Sequence, residues 1–226
     1  MSKKKQNDVE ETNQRENTSF TLRKKPVYEF FKRIFDLVAS ILGILLGSIL
    51  FIVIPLVIFI DSPGASPIYK QKRVGKNGKE FYLYKFRTMI PNAEKLVDQL
   101  MDKNEMEGPV FKIREDPRIT KVGKFLRKSS LDELPQLWNI FLGSMTFVGP
   151  RPPLPREVEQ YSEYQMQRLC VKPGLTCHWQ IQPHRNSLTF DEWVALDLKY
   201  IEERNAWVDL KILFKTVGAV FGMEGM

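Results

Sequence analysis

The chain has 226 residues, a formal net charge of +7 and a sequence pI near 9.3. Its 43% hydrophobic and 27% charged residues exclude a wholly disordered chain and leave room for one large domain plus an appendage. The positive balance asks for an acidic partner, for which nucleic acid, anionic lipid headgroups and phosphorylated substrates all qualify.

Residues 1–25 are polar, almost free of large apolar side chains, and read as a disordered tail. Leu37 to Ile60 then runs 24 residues without a charge. About 20 apolar residues suffice to cross a bilayer, so this is a membrane segment. A long polar stretch precedes it and no small-residue cleavage site follows, which makes it a poor signal peptide. Arg23, Lys24, Lys25, Lys32 and Arg33 lie before the run, and Lys70, Lys72, Arg73, Lys76 and Lys79 after it. Both flanks carry the charge that favours the cytoplasmic side, so a helix that enters, bends and returns is favoured over a straight span. Pro55, Gly43, Gly47 and Ser48 are its weak points.

Beyond a DSPGASP loop, PIYKQKRV and KEFYLYKFRT flank GKNG, and an Asn-Gly pair between aromatic and β-branched runs predicts a β-hairpin. Residues 91–106 read as a short amphipathic helix. EDPRITKVGKFLRKSS carries Arg118, Lys121, Lys124, Arg127 and Lys128 at roughly helical spacing, and a further helix starts near residue 131. VKPGLT reads as a Pro-Gly turn and TCHWQIQ as a short strand. Two more helices are expected at 190–204 and 207–221, the last either core-facing or lying in the membrane interface. Cys170, Cys177, His178 and His184 fit no common zinc spacing, and the lone thiols suit a reducing compartment.

SSLDELPQLWN at 129–139 places Asp132 beside Glu133 at a helix start. Taken alone, Ser130 and Glu133 spell a capping box, and Pro135 makes Asp132 an alternative N-cap. On a helix, Leu131, Leu134, Trp138 and Phe141 or Leu142 form an apolar stripe, opposite Asp132, Glu133, Gln136 and Asn139. A basic run precedes the pair, and Arg151 stands between prolines in GPRPP. Basic groups, a helix N-terminus and adjacent carboxylates go together if the ligand is a phosphate, with the carboxylates holding a divalent metal or attacking phosphorus.

KFRTM at 85–89, DPRITKVGKFLRKSSLDELPQLWN at 116–139, VGPRPPLPREVEQY at 148–161, KPGLT at 172–176, WQ at 179–180 and LDLKYIEERNAWVDLKILFKT at 196–216 resemble the bacterial sugar transferases, monotopic polyprenyl-phosphate phosphoglycosyl transferases. The resemblance covers roughly residues 30–220. It implies an α+β, mostly helical fold with a re-entrant hydrophobic helix and a cytoplasmic catalytic domain containing a small hairpin. It further implies transfer of sugar 1-phosphate from a UDP-sugar to undecaprenyl phosphate in capsule or exopolysaccharide assembly. Asp132 would be the nucleophile of a ping-pong reaction and Glu133 a Mg²⁺ ligand. An aspartate near its reference pKa of about 3.9 would need no base. Lys85, Arg87, Arg118, Arg127 and Arg151 are candidates for binding the diphosphate; Gln180, Arg185 and Asp197 match later motifs, for donor recognition or packing.

The family commonly breaks its membrane helix at Ser-Pro, where this chain has Ser48-Ile49, so the break falls at Ser48 or at Pro55. The expected division is a tail at 1–25, an amphipathic lead-in and re-entrant helix at 26–62, and a catalytic domain at 63–226 on the cytoplasmic face of the bacterial inner membrane. Membrane lipid is an expected partner and nucleic acid is not; homo-oligomerisation stays open. UDP-glucose and UDP-galactose are the favoured donors. The rival readings are a catalytically silent membrane-tethered scaffold and a binder of anionic ligands.

Overall fold

The computed structural model describes residues 23–113, 115–183 and 185–221. The expected tail up to residue 22 and His184 lie outside the described residues. The fold is mostly helical with two small sheets.

Helix α1 (Pro26–Leu46) opens with a proline in its first turn, where the missing N–H would have no partner anyway. Its polar face is turned inward. Lys32 pairs with Asp209 at 2.6 Å, Arg33 donates to the Ile140 and Phe141 carbonyls, and buried Asp36 accepts from the Thr146 hydroxyl and the Phe147 N–H. Phe30, Phe31, Ile34, Val38 and Leu42 are left exposed. Helix α2 (Ser48–Asp61) follows at 60° to α1. The break falls at Gly47, next to Ser48, and Pro55 sits inside α2 without ending it. Ile54 and Ile58 of α2, with Phe51 beside them, pack on Phe86 and Leu126, and Ile49, Ile52, Val53, Leu56, Phe59 and Ile60 are exposed. Among the described residues no single helix is long and apolar enough to cross a membrane.

The hairpin forms as expected: β1 (Ile68–Val74) pairs antiparallel with β2 (Glu80–Phe86) through a tip in which Asn77 takes φ 58° and Gly78 φ 76°. Residues 93–103 wind as two 3₁₀ turns instead of the expected helix. Asn92 enters in the left-handed region, and most side chains of the segment are exposed. Too little apolar surface is buried there to offset the cost of nucleating a helix.

Helix α3 (Lys121–Lys128) starts later than the spacing of cations suggested, because Thr120 caps it by accepting from the Gly123 N–H at 3.0 Å. Helix α4 (Gln136–Leu142) reverses the expected faces. Gln136, Leu137, Asn139 and Ile140 are buried, while Trp138 and Leu142 are 45% and 66% exposed. Strand β3 (Thr146–Val148) runs parallel to β4 (Gly174–Thr176). The expected Pro-Gly turn is therefore a strand start: a Cβ on Gly174 would lie 2.1 Å from the Gly149 nitrogen, so only glycine permits this approach. The expected strand at TCHWQIQ does not form: β4 ends at Thr176, and Trp179–Ile181 is a 3₁₀ turn. Gln180 folds back to accept from the Cys177 N–H, and Trp179 leaves the strand direction to stack on Trp193 with ring centroids 4.2 Å apart.

Helices α5 (Phe190–Glu203) and α6 (Ala206–Phe221) close the domain over a core containing Val148, Trp179, Trp193, Val194, Ile201 and Ile212. Helix α6 is core-facing on one side, where Ile212 is buried, while Trp207 and Phe214 on the other are 74% and 69% exposed.

Candidate active site

Ser130 takes φ 57°, which ends α3 and turns the chain into a 3₁₀ turn, Leu131–Glu133, leading to α4. Neither Ser130 nor Asp132 makes a side-chain cap, so the capping readings are overturned. Both carboxylates face β2 instead. Lys85 Nζ lies 2.6 Å from Glu133 Oε1 and 3.8 Å from Asp132 Oδ2, and Asp132 is only 6% exposed.

That burial sets the electrostatics. Desolvation pushes Asp132 up to about 6 and the Glu133 charge adds to the rise, against the pull of Lys85 and Arg127. The expected value near 3.9 gives way, yet at pH 7 about nine-tenths of Asp132 remains ionised. For Glu133, burial pushes upward but is outweighed by Lys85, assisted by Arg151, and the two cations hold it below the usual range. One carboxylate is thus tied to lysine while its neighbour is an ion in a poorly solvated place.

Cations converge from separate parts of the chain. Arg127 donates to Thr88 Oγ1 at 2.9 Å, and its charge reaches Asp132. Arg151 lines a cavity of about 30 Å³ with Lys85, Glu133, Gln136 and Gln180. By that measure it has room for about two or three waters, the scale of one phosphoryl group. The proline-rich loop bearing Arg151 is fixed to the hairpin, since Val74 N–H donates to the Pro153 carbonyl and Arg73 to that of Pro152, both at 2.9 Å. Arg73 itself lines the cavity and is pushed down to about 10 by burial and by Arg151. Sequence reasoning placed Arg73 only among membrane-flanking cations. The spacing of the sequence puts Gln136 only in a polar arc; its buried side chain lines the cavity and its amide interacts with Glu133.

Four expected site residues take other positions. Arg87 donates to the Ser66 carbonyl and lies over the Tyr69 ring. Arg118 is buried in an ion pair with Asp116 at 2.6 Å, and Arg185 donates to the Gln180 carbonyl. Asp197 is fully buried against Arg168, also at 2.6 Å.

Asn139 ties the two halves of the site together. Its side-chain oxygen accepts from Tyr84 N–H at 3.0 Å and its amide donates to the Tyr82 carbonyl at 2.7 Å, as a neighbouring strand would. The hairpin strand bearing Lys85 is thereby latched to the helix that follows Glu133.

Among the described residues no group of three or more His, Cys, Asp or Glu could hold a metal. Mg²⁺, however, is commonly held by one or two carboxylates and completed by substrate phosphates. The Lys85 ammonium beside both Asp132 and Glu133 marks a place where positive charge is accommodated, so the donor set fits such an ion.

A family model described as bacterial sugar transferase matches residues 27–223. The chain is 46% identical over 189 residues to galactosyl transferase CpsE of Streptococcus agalactiae, covering 84% of this chain and 42% of that protein. It is 41% identical to the undecaprenyl-phosphate galactose phosphotransferase of Salmonella typhimurium, over 87% of this chain and 41% of that protein. Exopolysaccharide production protein ExoY of Rhizobium meliloti is also 41% identical, with 87% and 88% covered. The chain thus spans about two fifths of the length of the first two relatives and most of the third.

Proposed function

Residues 27–223 belong to the bacterial sugar transferase family, and on that premise we propose that the chain transfers sugar 1-phosphate from a UDP-sugar to undecaprenyl phosphate, releasing UMP, for capsule or exopolysaccharide assembly. The observation that carries this reading is a buried, largely ionised Asp132 beside Glu133, with Lys85, Arg127 and Arg151 converging on the pair.

An oxygen of Asp132 attacks the sugar-bearing phosphorus. A bond from Asp132 to phosphorus forms, the phosphoanhydride bond to UMP breaks, and UMP leaves with the electron pair. A phosphate oxygen of undecaprenyl phosphate then attacks the same phosphorus and displaces Asp132, restoring its carboxylate. Lys85 and Arg127 favour the ionised nucleophile, Lys85 holds Glu133 in place, and Arg151 and Arg73 offset the negative charge that gathers around phosphorus. Mg²⁺ held by Glu133 would screen the donor diphosphate. One phosphoanhydride replaces another, so the reaction is close to reversible and product removal draws it forward. A hexose donor, UDP-galactose or UDP-glucose, fits the reading; galactose appears in the names of two of the relatives described above.

The proposal includes the membrane. Residues 26–62 form the anchor, bent at Gly47, with apolar faces of α1 and α2 directed to lipid, and residues 63–226 the catalytic domain held at the cytoplasmic face of the inner membrane. Such an anchor places the site at the depth of the acceptor's phosphate.

Purified protein incubated with a panel of UDP-sugars, Mg²⁺ and undecaprenyl phosphate tests the reaction. UMP release is expected with a hexose donor, abolished by EDTA and by Asp132→Asn. Undiminished release from Asp132→Asn refutes the nucleophile, and no release from any donor leaves the silent scaffold or anionic-ligand binder. For topology, cysteine labels before residue 30 and after residue 65 are both expected to be inaccessible from outside the cell.

A further inference from the structure

A second cavity, of about 150 Å³, shares no lining residue with the first. It lies among α1, the hairpin tip, β3 and the end of α5, and five cations line it: Lys32, Arg33, Lys76, Lys172 and Arg204. The carboxylates lining it are Glu29 and Asp36, and Asp209 joins them as partner of Lys32.

Most of these groups are already engaged. Arg33 is used by the carbonyls ending α4, and Arg204 by the Ile201 and Arg23 carbonyls and Glu29. Asp36 is held by Thr146 and Phe147. Lys76 and Lys172 are both partly buried, and among the described residues their ammonium groups have no hydrogen-bond or ion-pair partner. A cation withdrawn from water without a partner is costly, and Lys172 registers it: burial lowers its pKa, and Arg33 and Lys76 lower it further against the opposing pull of Asp36 and Glu29. The cavity has room for about ten waters, enough for a phosphate group and part of its hydration.

We infer that this cavity is a second anion site, separate from the catalytic one, in which Lys76 and Lys172 bind the phosphate of a membrane phospholipid headgroup. Tyr28, Glu29, Lys32, Arg33 and Asp36 come from the polar face of α1, whose opposite face is Phe30, Phe31, Ile34 and Val38. A helix so divided lies at headgroup depth. Free phosphate has the same chemistry. The lipid source rests on the membrane reading above, whereas the anion chemistry does not.

The full chain in uncharged detergent is titrated with inorganic phosphate at constant ionic strength, following the shift in thermal midpoint. Lys76→Gln and Lys172→Gln should each weaken this site's affinity about tenfold, and the double variant should keep only the protection that the catalytic cavity supplies, which Arg151→Gln removes in turn, while Lys172→Arg retains both. Lys85→Gln, which touches only the catalytic cavity, should leave this binding in place. Without phosphate, Lys172→Gln should unfold no lower than wild type, because it removes a buried, repelled charge; lower unfolding would make the lysine structural and overturn the site. Phosphate binding that is absent, or unchanged in the double variant, also overturns it. Native mass spectrometry from nanodiscs of phosphatidylcholine with phosphatidylglycerol separates the sources. Phosphatidylglycerol retained by wild type and lost from the double variant supports the headgroup; phosphate binding without lipid retention overturns that source. UMP release is not read in either arm, so failure here and failure of the proposed reaction are distinguishable.

Discussion

Asp132→Asn should stabilise the protein while abolishing turnover. In the fold Asp132 titrates near 6 against its ordinary 3.8, chiefly through burial. At about 1.4 kcal/mol per unit, keeping it ionised at neutral pH costs the fold about 3 kcal/mol. The folded pKa lies above the unfolded one, so the stability linked to this group is complete below pH 3.8 and is lost as pH rises through about 6. Asparagine mimics the protonated carboxyl and escapes that loss. Thermal unfolding in EDTA should therefore place Asp132→Asn roughly 6 to 10 °C above wild type at pH 7 to 8. The gap should close as pH falls from about 6 to about 4. A variant less stable than wild type at pH 7, or a gap unchanged by pH, would refute the desolvation argument.

The same ionisation predicts that turnover falls on the acid side with a midpoint near 6. Lys85→Met removes the charge that holds both carboxylates down, so the midpoint should move upward and kcat drop about a hundredfold, read from a pH–rate profile. Asn139→Leu strands the Tyr84 N–H and Tyr82 carbonyl and should cost about 2 to 4 kcal/mol by thermal or denaturant unfolding, with reduced UMP release as Lys85 loses its register with Glu133. Gly174→Ala drives a Cβ into the Gly149 backbone and should lower stability by at least about 3 kcal/mol, visible as a lower thermal midpoint or loss of soluble protein.

The hairpin was legible because Asn-Gly supplies the two positive φ values a tight reversal needs, and the acidic pair because its motif is dense. What misled was polarity. On α4 the polar residues Gln136 and Asn139 are buried while Trp138 and Leu142 face out, and α1 likewise turns Lys32, Arg33 and Asp36 inward. On both helices an exposed apolar stripe does not mark the inside, and amphipathic periodicity fixes the face without its sense. Arg73 was hidden in a run of surface cations, because only the pairing of β1 with β2 and with the Pro152–Pro153 loop shows which one points inward. Arg118 and Asp197 carry the right motifs but spend their charge on Asp116 and Arg168, contacts that chain order conceals.

Two short strands expose two unpaired edges, and an aromatic strand such as Phe81–Tyr84 would template addition of another chain. One edge meets the amide of Asn139; at the other, Val74 N–H meets the Pro153 carbonyl while the Arg73 side chain takes that of Pro152. Proline has no N–H to offer, so the second cover accepts from the hairpin without extending the ladder. The loop that delivers Arg151 is therefore also a stopper against aggregation, and prolines 152 and 153 should resist replacement even in a variant from which no catalysis is asked.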